Sequence, residues 1–347
     1  MNLLLVFIIA AGVSLALIPP ATRLAGRLGL LDQPTNRKVH LAPIPRTGGW
    51  GIVAGAMVPM FYGLSFDAQL ASCLVAVLVL FVFGLWDDAA NLNHRIKFVG
   101  QIIAASTVVL WGDIYVSRLP FMDGALLPEW LARPFSIFAL VGVINAVNHS
   151  DGLDGLAGGE CLLSLGALLA LLLPLGGAHD AMAVLACATL GSTFAFLRYN
   201  RHPARVFMGD TGSQFLGFTL GVLVIHLSQF AERGVTPSVA LLLIGMPVFD
   251  ILVTLGLRIS SGMSWFAGSR NHIHHRLLDR GLSHYAAVGV LYGMQALLVT
   301  SGYLLHQQSD AVLLTAYGLI CGGALGALVL AEKRGWIYAR GIEYHRA

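Results

Sequence analysis

The sequence predicts an all-α, polytopic membrane protein of about eleven transmembrane helices, and three observations predict it. Of 347 residues, 56% are hydrophobic and only 11% are charged, whereas a soluble domain carries about 25% charged residues; the mean hydropathy is +0.75. The apolar residues fall in runs near the ~20-residue length that crosses a bilayer, at 2–19, 48–65, 69–86, 98–112, 134–148, 156–175, 180–197, 214–230, 237–257, 285–305 and 311–331. The basic residues segregate strongly between the two alternating sets of connecting loops. Each run should be helical, because backbone in lipid must satisfy its own hydrogen bonds. No internal repeat or low-complexity tract interrupts the chain, which reads as a single integral membrane domain over 1–347.

The first run, Leu3–Ile18, has no basic residue before it and no small-residue cleavage site after it. It reads as a retained helix rather than a signal peptide. Eleven spans then place the termini on opposite sides. One set of loops comprises 20–47, 87–97, 149–155, 198–213, 258–284 and the tail from 332, and it holds 18 of the 21 Lys and Arg residues. The other set holds Arg118, Arg133 and Arg233. The positive-inside rule puts the first set in the cytoplasm, the N-terminus outside and the C-terminus inside. The net charge of +3 says less than this distribution. The four cysteines (Cys73, Cys161, Cys187 and Cys321) all sit in apolar runs without CxxC or metal-type spacing. They read as small core residues without disulfides.

The cytoplasmic loops also collect the unusual polar residues. The first carries Asp32-Gln-Pro-Thr-Asn-Arg-Lys-Val-His40 and Pro45-Arg-Thr-Gly-Gly49. The second opens with Asp87-Asp88 and continues to Arg95 and Lys97. The third, with its flanks, is Asn145-Ala-Val-Asn-His-Ser-Asp-Gly-Leu-Asp-Gly155, which places two asparagines, a histidine and two aspartates between apolar runs. The fourth is Arg205-Val-Phe-Met-Gly-Asp-Thr-Gly-Ser213, and the fifth is Ser269-Arg-Asn-His-Ile-His-His-Arg276. Any one of these is explicable as a solvated loop, with Asp capping a helix and Gly turning the chain. Five on one face of the membrane point instead to one shared active site.

The residue types indicate the chemistry. Adjacent carboxylates at Asp87 and Asp88 repel, so a cation or a proton must settle the pair. An Asp pair at a helix C-terminus also opposes the helix dipole. Asp151 and Asp154 would lie one turn apart, facing one site, if a helix begins there. Mg²⁺ takes one or two protein oxygens and completes its octahedron with water and substrate phosphate. Asp210 and Asn148 can supply those oxygens. Arg37, Lys38, Arg95, Lys97 and Arg276 can clamp anionic phosphates. Phe207 offers a flat surface for a base, or equally a packing contact at a helix end. Asp210-Thr-Gly212 matches an aspartic-protease triplet, but such enzymes need a second copy and β-structure, and these acids sit at helix mouths. His272-Ile-His-His275 evokes zinc, yet zinc needs a further defined ligand. The surrounding Asp and Arg favour Mg²⁺ with phosphate, and the histidines read as donors to phosphate or sugar oxygens.

Together these motifs resemble the polyprenyl-phosphate N-acetylhexosamine-1-phosphate transferases, the WecA/MraY-type membrane enzymes. The resemblance is carried by Pro45–Gly49, Gly84-Leu-Trp-Asp-Asp88, Asn145–Gly155, Phe207-Met-Gly-Asp-Thr-Gly-Ser213, Pro247-Val-Phe-Asp250 and His272–His275, in the family's order, over about residues 30 to 285. It implies transfer of a sugar-1-phosphate from a UDP-sugar to a C55-type polyprenyl phosphate with release of UMP. That reaction is the first membrane step of cell-surface polysaccharide synthesis, at the bacterial inner membrane. It implies Mg²⁺, or Mn²⁺ in its place, held by Asp210 and Asn148. It makes Asp87 and Asp88 the catalytic pair, Asp87 being the base or lipid-phosphate activator. Substrate binding falls to Lys38, Lys97, Asp151, Asp154, Phe207, His272, His274, His275 and Arg276, with Phe207 at the uracil and Asp154 at the nucleotide. The ending His272–Arg276 is closer to the WecA-like branch, which uses UDP-N-acetylhexosamines, than to the branch that uses a UDP-muramoyl-peptide. His149-Ser150 departs from the family, which has more apolar residues there. The partners implied are the lipid phosphate, the UDP-sugar and the membrane, with no nucleic acid and with room for a homodimer.

Physical chemistry agrees with that reaction. A lipid phosphate lies at headgroup level, and a nucleotide sugar arrives from the cytoplasm, where the basic loops are. Phosphoryl transfer mostly needs alignment and charge neutralisation. Two other classes share some features. A transporter could use Glu160, Asp250 and His226 as an ion path, although these are scattered and no repeat accompanies them. A metal-dependent lipid pyrophosphatase would use the acids without a nucleotide.

Overall fold

The computed structural model describes residues 2–34, 42–61, 67–122, 125–176, 180–229, 235–263 and 271–334. The chain is a helical bundle. Among the described residues, eight helices are long and apolar enough to cross a membrane: α1 (Leu3–Leu24), α3 (Ala68–Ala90), α5 (Glu129–Ser150), α6 (Leu156–Gly176), α7 (Ala181–Asn200), α8 (Gly209–Ser228), α12 (His284–Leu305) and α13 (Asp310–Arg334). The other three apolar runs form shorter or broken helices. The run at 48–65 gives α2 (Gly48–Met57) and a 3₁₀ turn, Val58–Phe61. The run at 98–112 gives α4 (His94–Ser106) ending in a π turn, Thr107–Trp111. The run at 237–257 breaks at Ile244 into α9 (Val239–Leu243) and α10 (Gly245–Ser260). Loop 258–284 contains a further short helix, α11 (Ile273–Asp279). One exception to the all-α reading is a two-residue antiparallel pairing of β1 (Leu31–Asp32) with β2 (Ile44–Pro45), Leu31 opposite Pro45.

Local chemistry sets several boundaries. The side chains of Asn2, Asp67, Asn93, Asp180 and Ser283 each accept backbone N–H bonds at the first turns of α1, α3, α4, α7 and α12, filling donors that a helix start leaves open. At the other end of α3, Asn91 turns left-handed (φ 47°) and stops the helix after Asp87-Asp88.

The centre of the bundle is α8. Every residue from Thr211 to Ser228 is buried, although its hydropathy of 1.3 is the lowest of the eight. Apolarity therefore does not select the central helix; lipid is as apolar as Leu, and small residues that permit close approach select it instead. Gly84 of α3 shows the point: a Cβ there would lie 2.6 Å from the Thr211 Cα. Helices α2, α3, α5, α6 and α7 pack on α8, and α1 covers α2 and α7. Around α12, helices α6, α9, α10, α11 and α13 form a second cluster. Outward faces carry large apolar side chains such as Phe138 (76% exposed) and Leu319 (72%), a surface suited to lipid rather than to water. The starts of α2, α4, α6, α8 and α12 meet the ends of α3, α5 and α7 at one end of the bundle, where the polar motifs converge.

Candidate active site

A cavity of about 960 Å³ opens at that end. Its lining includes Asp88, Lys97, Asn148, Asp151, Asp154, Phe207, Asp210 and His275, drawn from four separated motifs and α4.

The first turn of α8 is its floor. Asp88 is buried and accepts three bonds there: from the Asp210 N–H at 2.7 Å, the Thr211 N–H at 3.1 Å and the Thr211 hydroxyl at 2.7 Å. A carboxylate on a helix N-terminus satisfies its orphan donors and its dipole. Gly209, just before, has φ +71°, and a Cβ on it would lie 2.8 Å from the Asp88 carboxylate. Asp88 thus fixes the turn that carries Asp210.

Asp87 is 1% exposed and does not line the cavity. One oxygen accepts the Leu92 N–H at 2.8 Å, and the other pairs with the Lys97 ammonium. Lys97 also reaches Asp210 Oδ1 at 3.6 Å. Asn148, on the last turns of α5, donates Nδ2 to Asp210 Oδ1 and to Ser213 Oγ, both at 2.8 Å. Beneath it Asn145 donates to Gln101 at 2.7 Å, and Gln101 donates to Gln214 at 3.4 Å. Gln101 and Gln214 escaped the sequence reading, and Ser213 stood there only as the end of its motif, without a role. Their one signal was an amide or hydroxyl at the motif-bearing end of an apolar run.

The Pro45–Gly49 motif is a splint for Phe207. The Phe207 N–H donates to Pro45 O at 2.8 Å, the Gly48 N–H to Phe207 O at 3.0 Å, and the Gly49 N–H to Met208 O at 2.9 Å. Arg46 pairs with Asp32 and donates to Asn91 at 3.1 Å, tying the first loop to the end of α3.

Several expectations are corrected. No helix begins at Asp151: Asp151–Gly155 is a turn, and α6 starts at Leu156. Gly155, at φ +81°, holds a conformation that a helix excludes. Both acids still line the one cavity, but their surroundings differ. Burial, with the nearby Asp210, Asp88 and Asp154 carboxylates, pushes Asp151 up to about 7. Asp154 instead accepts from His202 and Ala204. The histidines also divide. His275 lines the cavity, whereas His272 and His274 are buried behind it. His272 Nδ1 donates to Asp250 at 2.6 Å, and Asp250 also accepts the Ile273 N–H at 2.6 Å, anchoring the start of α11. His274 packs its ring on Gly152, and burial with His275 beside it lowers its pKa to about 3. It stays neutral in any ordinary buffer. Arg276 is half-buried outside the cavity lining. Lys38 lies outside the described residues. Of the groups that suggested an ion path, Asp250 serves His272, and His226 pairs at 3.4 Å with Asp180 at the far end of α8.

The arrangement suits a hard cation with anionic phosphates. Asp87, Asp88, Asp151 and Asp210 converge, and among the described residues the ion pairs of this group are both made by Lys97. Asp210 offers carboxylate oxygens and Asn148 an amide oxygen, the kind that Mg²⁺ accepts; Asn148 turns its Nδ2 towards Asp210 in this structure, so its oxygen would ligate with the amide turned over.

Residues 70–228 match the profile described as Glycosyl transferase family 4. The chain is 33% identical to the probable undecaprenyl-phosphate N-acetylglucosaminyl 1-phosphate transferase of Bacillus subtilis, over 84% of this chain and 81% of that one. The chain belongs to glycosyl transferase family 4. Other similar members are the decaprenyl-phosphate N-acetylglucosaminephosphotransferase of Mycobacterium tuberculosis, 30% identical over 96% of this chain and 90% of that one, and the undecaprenyl-phosphate alpha-N-acetylglucosaminyl 1-phosphate transferase of Escherichia coli K12, 30% identical over 93% and 89%. The matched family region runs from the start of α3 to the end of α8, and so contains the Asp88 cap, Lys97, the Asn148 turn and Asp210.

Proposed function

We propose that this family 4 member transfers N-acetylglucosamine-1-phosphate from UDP-N-acetylglucosamine to a polyprenyl phosphate, releasing UMP, at a bacterial inner membrane. The observation that carries the reading is the convergence of Asp88, Asp151, Asp210 and Lys97 on a 960 Å³ cavity at one end of the helices, with Asp87 buried behind Lys97 as its ion-pair partner. That volume is at the upper end for ligand pockets, about 300–1,000 Å³, and leaves room for a nucleotide sugar. The relatives' names supply the polyprenyl phosphate and the N-acetylglucosamine-1-phosphate group; the uridine nucleotide rests on the motifs that resemble the transferases.

Asp210 and Asn148 are the residues to hold Mg²⁺, or Mn²⁺ in its place, with Ser213 in support. Bound there, the ion would neutralise diphosphate charge and polarise the bond that breaks. The chain's own groups do the rest. Lys97 is shared between Asp87 and Asp210. An arriving lipid phosphate draws the ammonium towards itself and frees Asp87 Oδ2 to accept its remaining proton. The acceptor oxygen then attacks the sugar-bearing phosphorus, and UMP leaves. Phe207 stacks the uracil, and His275 faces the sugar-phosphate. The eleven apolar runs, three of them broken, all cross the bilayer, with the cavity cytoplasmic.

Detergent-purified protein supplied with UDP-N-acetylglucosamine, polyprenyl phosphate and Mg²⁺ should release UMP and form the lipid diphosphosugar without a sealed membrane. No UMP from any UDP-N-acetylhexosamine would refute the reading. Stoichiometric UMP without acceptor would replace direct attack by a covalent route. For topology, Ala90→Cys should label from the cytoplasm and Ser309→Cys from outside; labelling from the same side refutes the orientation.

A further inference from the structure

Three segments distant in sequence meet on Asp154 at the cavity rim. Its Oδ2 accepts the Ala204 N–H at 3.0 Å and lies 2.8 Å from His202 Nδ1. An ionised carboxylate only accepts, so His202 Nδ1 carries the proton. The Asp154 carbonyl accepts from His284 Nε2 at 3.0 Å. The His284 ring stacks on His202, with centroids 3.9 Å apart and planes 16° from parallel. Tyr285 donates its hydroxyl to the His202 carbonyl at 2.9 Å. Asp154, His202 and Phe207 line the same cavity. Among the described residues, the bonds to the Asp154 carboxylate both fall on Oδ2.

Ligand atoms of Asp154, His202 and His284 lie within 4.8 Å of one another, so a metal is the first alternative. The stack argues against it. Imidazole nitrogens bind metals in the ring plane at about 2.0–2.1 Å. Two nearly parallel, stacked rings cannot both aim in-plane lone pairs at one ion. Hydrogen bonding is what this geometry supports.

We propose that His202 is a positioning residue: its Nδ1–H, with the Ala204 N–H, pins Asp154 Oδ2 and leaves Oδ1 as the acceptor for an N–H or O–H of the nucleotide. This rests on the UDP-sugar reading. The uracil imide N–H and the ribose hydroxyls are donors of that kind; phosphate oxygens are acceptors, so the role is recognition of the nucleoside and not phosphoryl transfer. Two fixed donors remove the carboxylate's rotational freedom before ligand arrives, which is preorganisation. The stacked His284 and the Tyr285 bond hold His202 in turn.

Two substitutions separate the N–H from the ring. His202→Phe keeps ring and stack but removes the donor. His202→Asn places an amide N–H at the Nδ1 position without the ring. Calorimetric UDP binding to the full-length protein with Mg²⁺ is read beside kcat and both KM values. H202F should weaken UDP binding and raise the UDP-sugar KM about tenfold, with kcat and the lipid KM within about twofold. H202N should stay within about threefold of wild type. Wild-type-like UDP binding by H202F, or H202N as weak as H202F, overturns the proposal; His202→Leu takes the place of H202F should that variant not fold. Wild type that turns over a UDP-sugar but binds UDP equally well with Asp154→Ala would also overturn it. Wild type that binds no uridine nucleotide overturns the donor assignment itself.

Discussion

Replacing Asp88 tests whether this acid builds the site or reacts in it. It accepts three hydrogen bonds at the start of α8 and braces Gly209. Bonds to a charged acceptor are worth about 1.5–3 kcal/mol each, and loss of an N-cap costs about 0.5–2 kcal/mol. The three share one carboxylate and do not add, so Asp88→Ala should cost about 2–4 kcal/mol of stability, most of it at the first turn of α8. That turn carries Asp210, and a misplacement of about 1 Å can cost about 100-fold in rate. Asp88→Asn is milder. Its carbonyl keeps the Asp210 N–H, and the Thr211 hydroxyl can rotate to accept from its amide, leaving the Thr211 N–H unmet. We expect about 10-fold loss of kcat for D88N and about 100-fold for D88A, each with a lowered thermal midpoint in detergent. UMP release and thermal unfolding measure both quantities on one preparation. If D88N falls as far as Asp210→Asn while its midpoint is unchanged, Asp88 touches the reacting atoms and the capping account is wrong.

Three further outcomes follow from the site. Asp210→Asn should abolish Mg²⁺-dependent turnover in a folded protein, since it removes an ionised ligand; near-normal turnover at ordinary Mg²⁺ would take Asp210 out of the metal site. Phe207→Ala should raise the KM for the UDP-sugar more than that for the lipid, and equal losses would make it a packing residue. Asp151, at about 7 instead of 3.8 in the metal-free protein, binds its proton more tightly folded than unfolded. Its stabilising contribution is complete below about pH 4 and is lost as pH rises through 7. The metal-free thermal midpoint should therefore decline from pH 5 to 8 with a slope that Asp151→Asn reduces. Mg²⁺ favours the ionised form, so its apparent affinity should rise over the same window; a flat wild-type response would refute the assignment.

Much of this was legible in one dimension. Run lengths and loop charges specify a polytopic helical protein and the face that collects the acids, because bilayer thickness and topogenic charge act on local segments. Asn148, Phe207, Asp210 and His275 were also legible as a group, since each lies in a polar motif between apolar runs. The helix limits near the site were less so. Hydropathy ends α3 at residue 86, but its backbone bonds continue to Ala90 until Asn91 turns left-handed. Whether a helix begins at Asp151 was left open because Asp and Gly suit both caps and turns, and the positive φ of Gly155 decides for a turn.

The sequence by itself determined the membrane class, the helical content and the inventory of oxygen donors. It also determined which residue types stand together within each motif. Tertiary structure alone decided which partner each of them has. Asp88 serves Thr211 across 123 positions, Asp154 takes His202 across 48, and Asp250 claims His272 across 22. Likewise the most buried helix is the least apolar of the eight, and two of the three motif histidines turn away from the cavity. A side chain's direction in a bundle depends on which small residues let neighbouring helices approach and on which buried polar groups require a partner. Those conditions are met between segments rather than within them, and so they have no periodic trace along the chain.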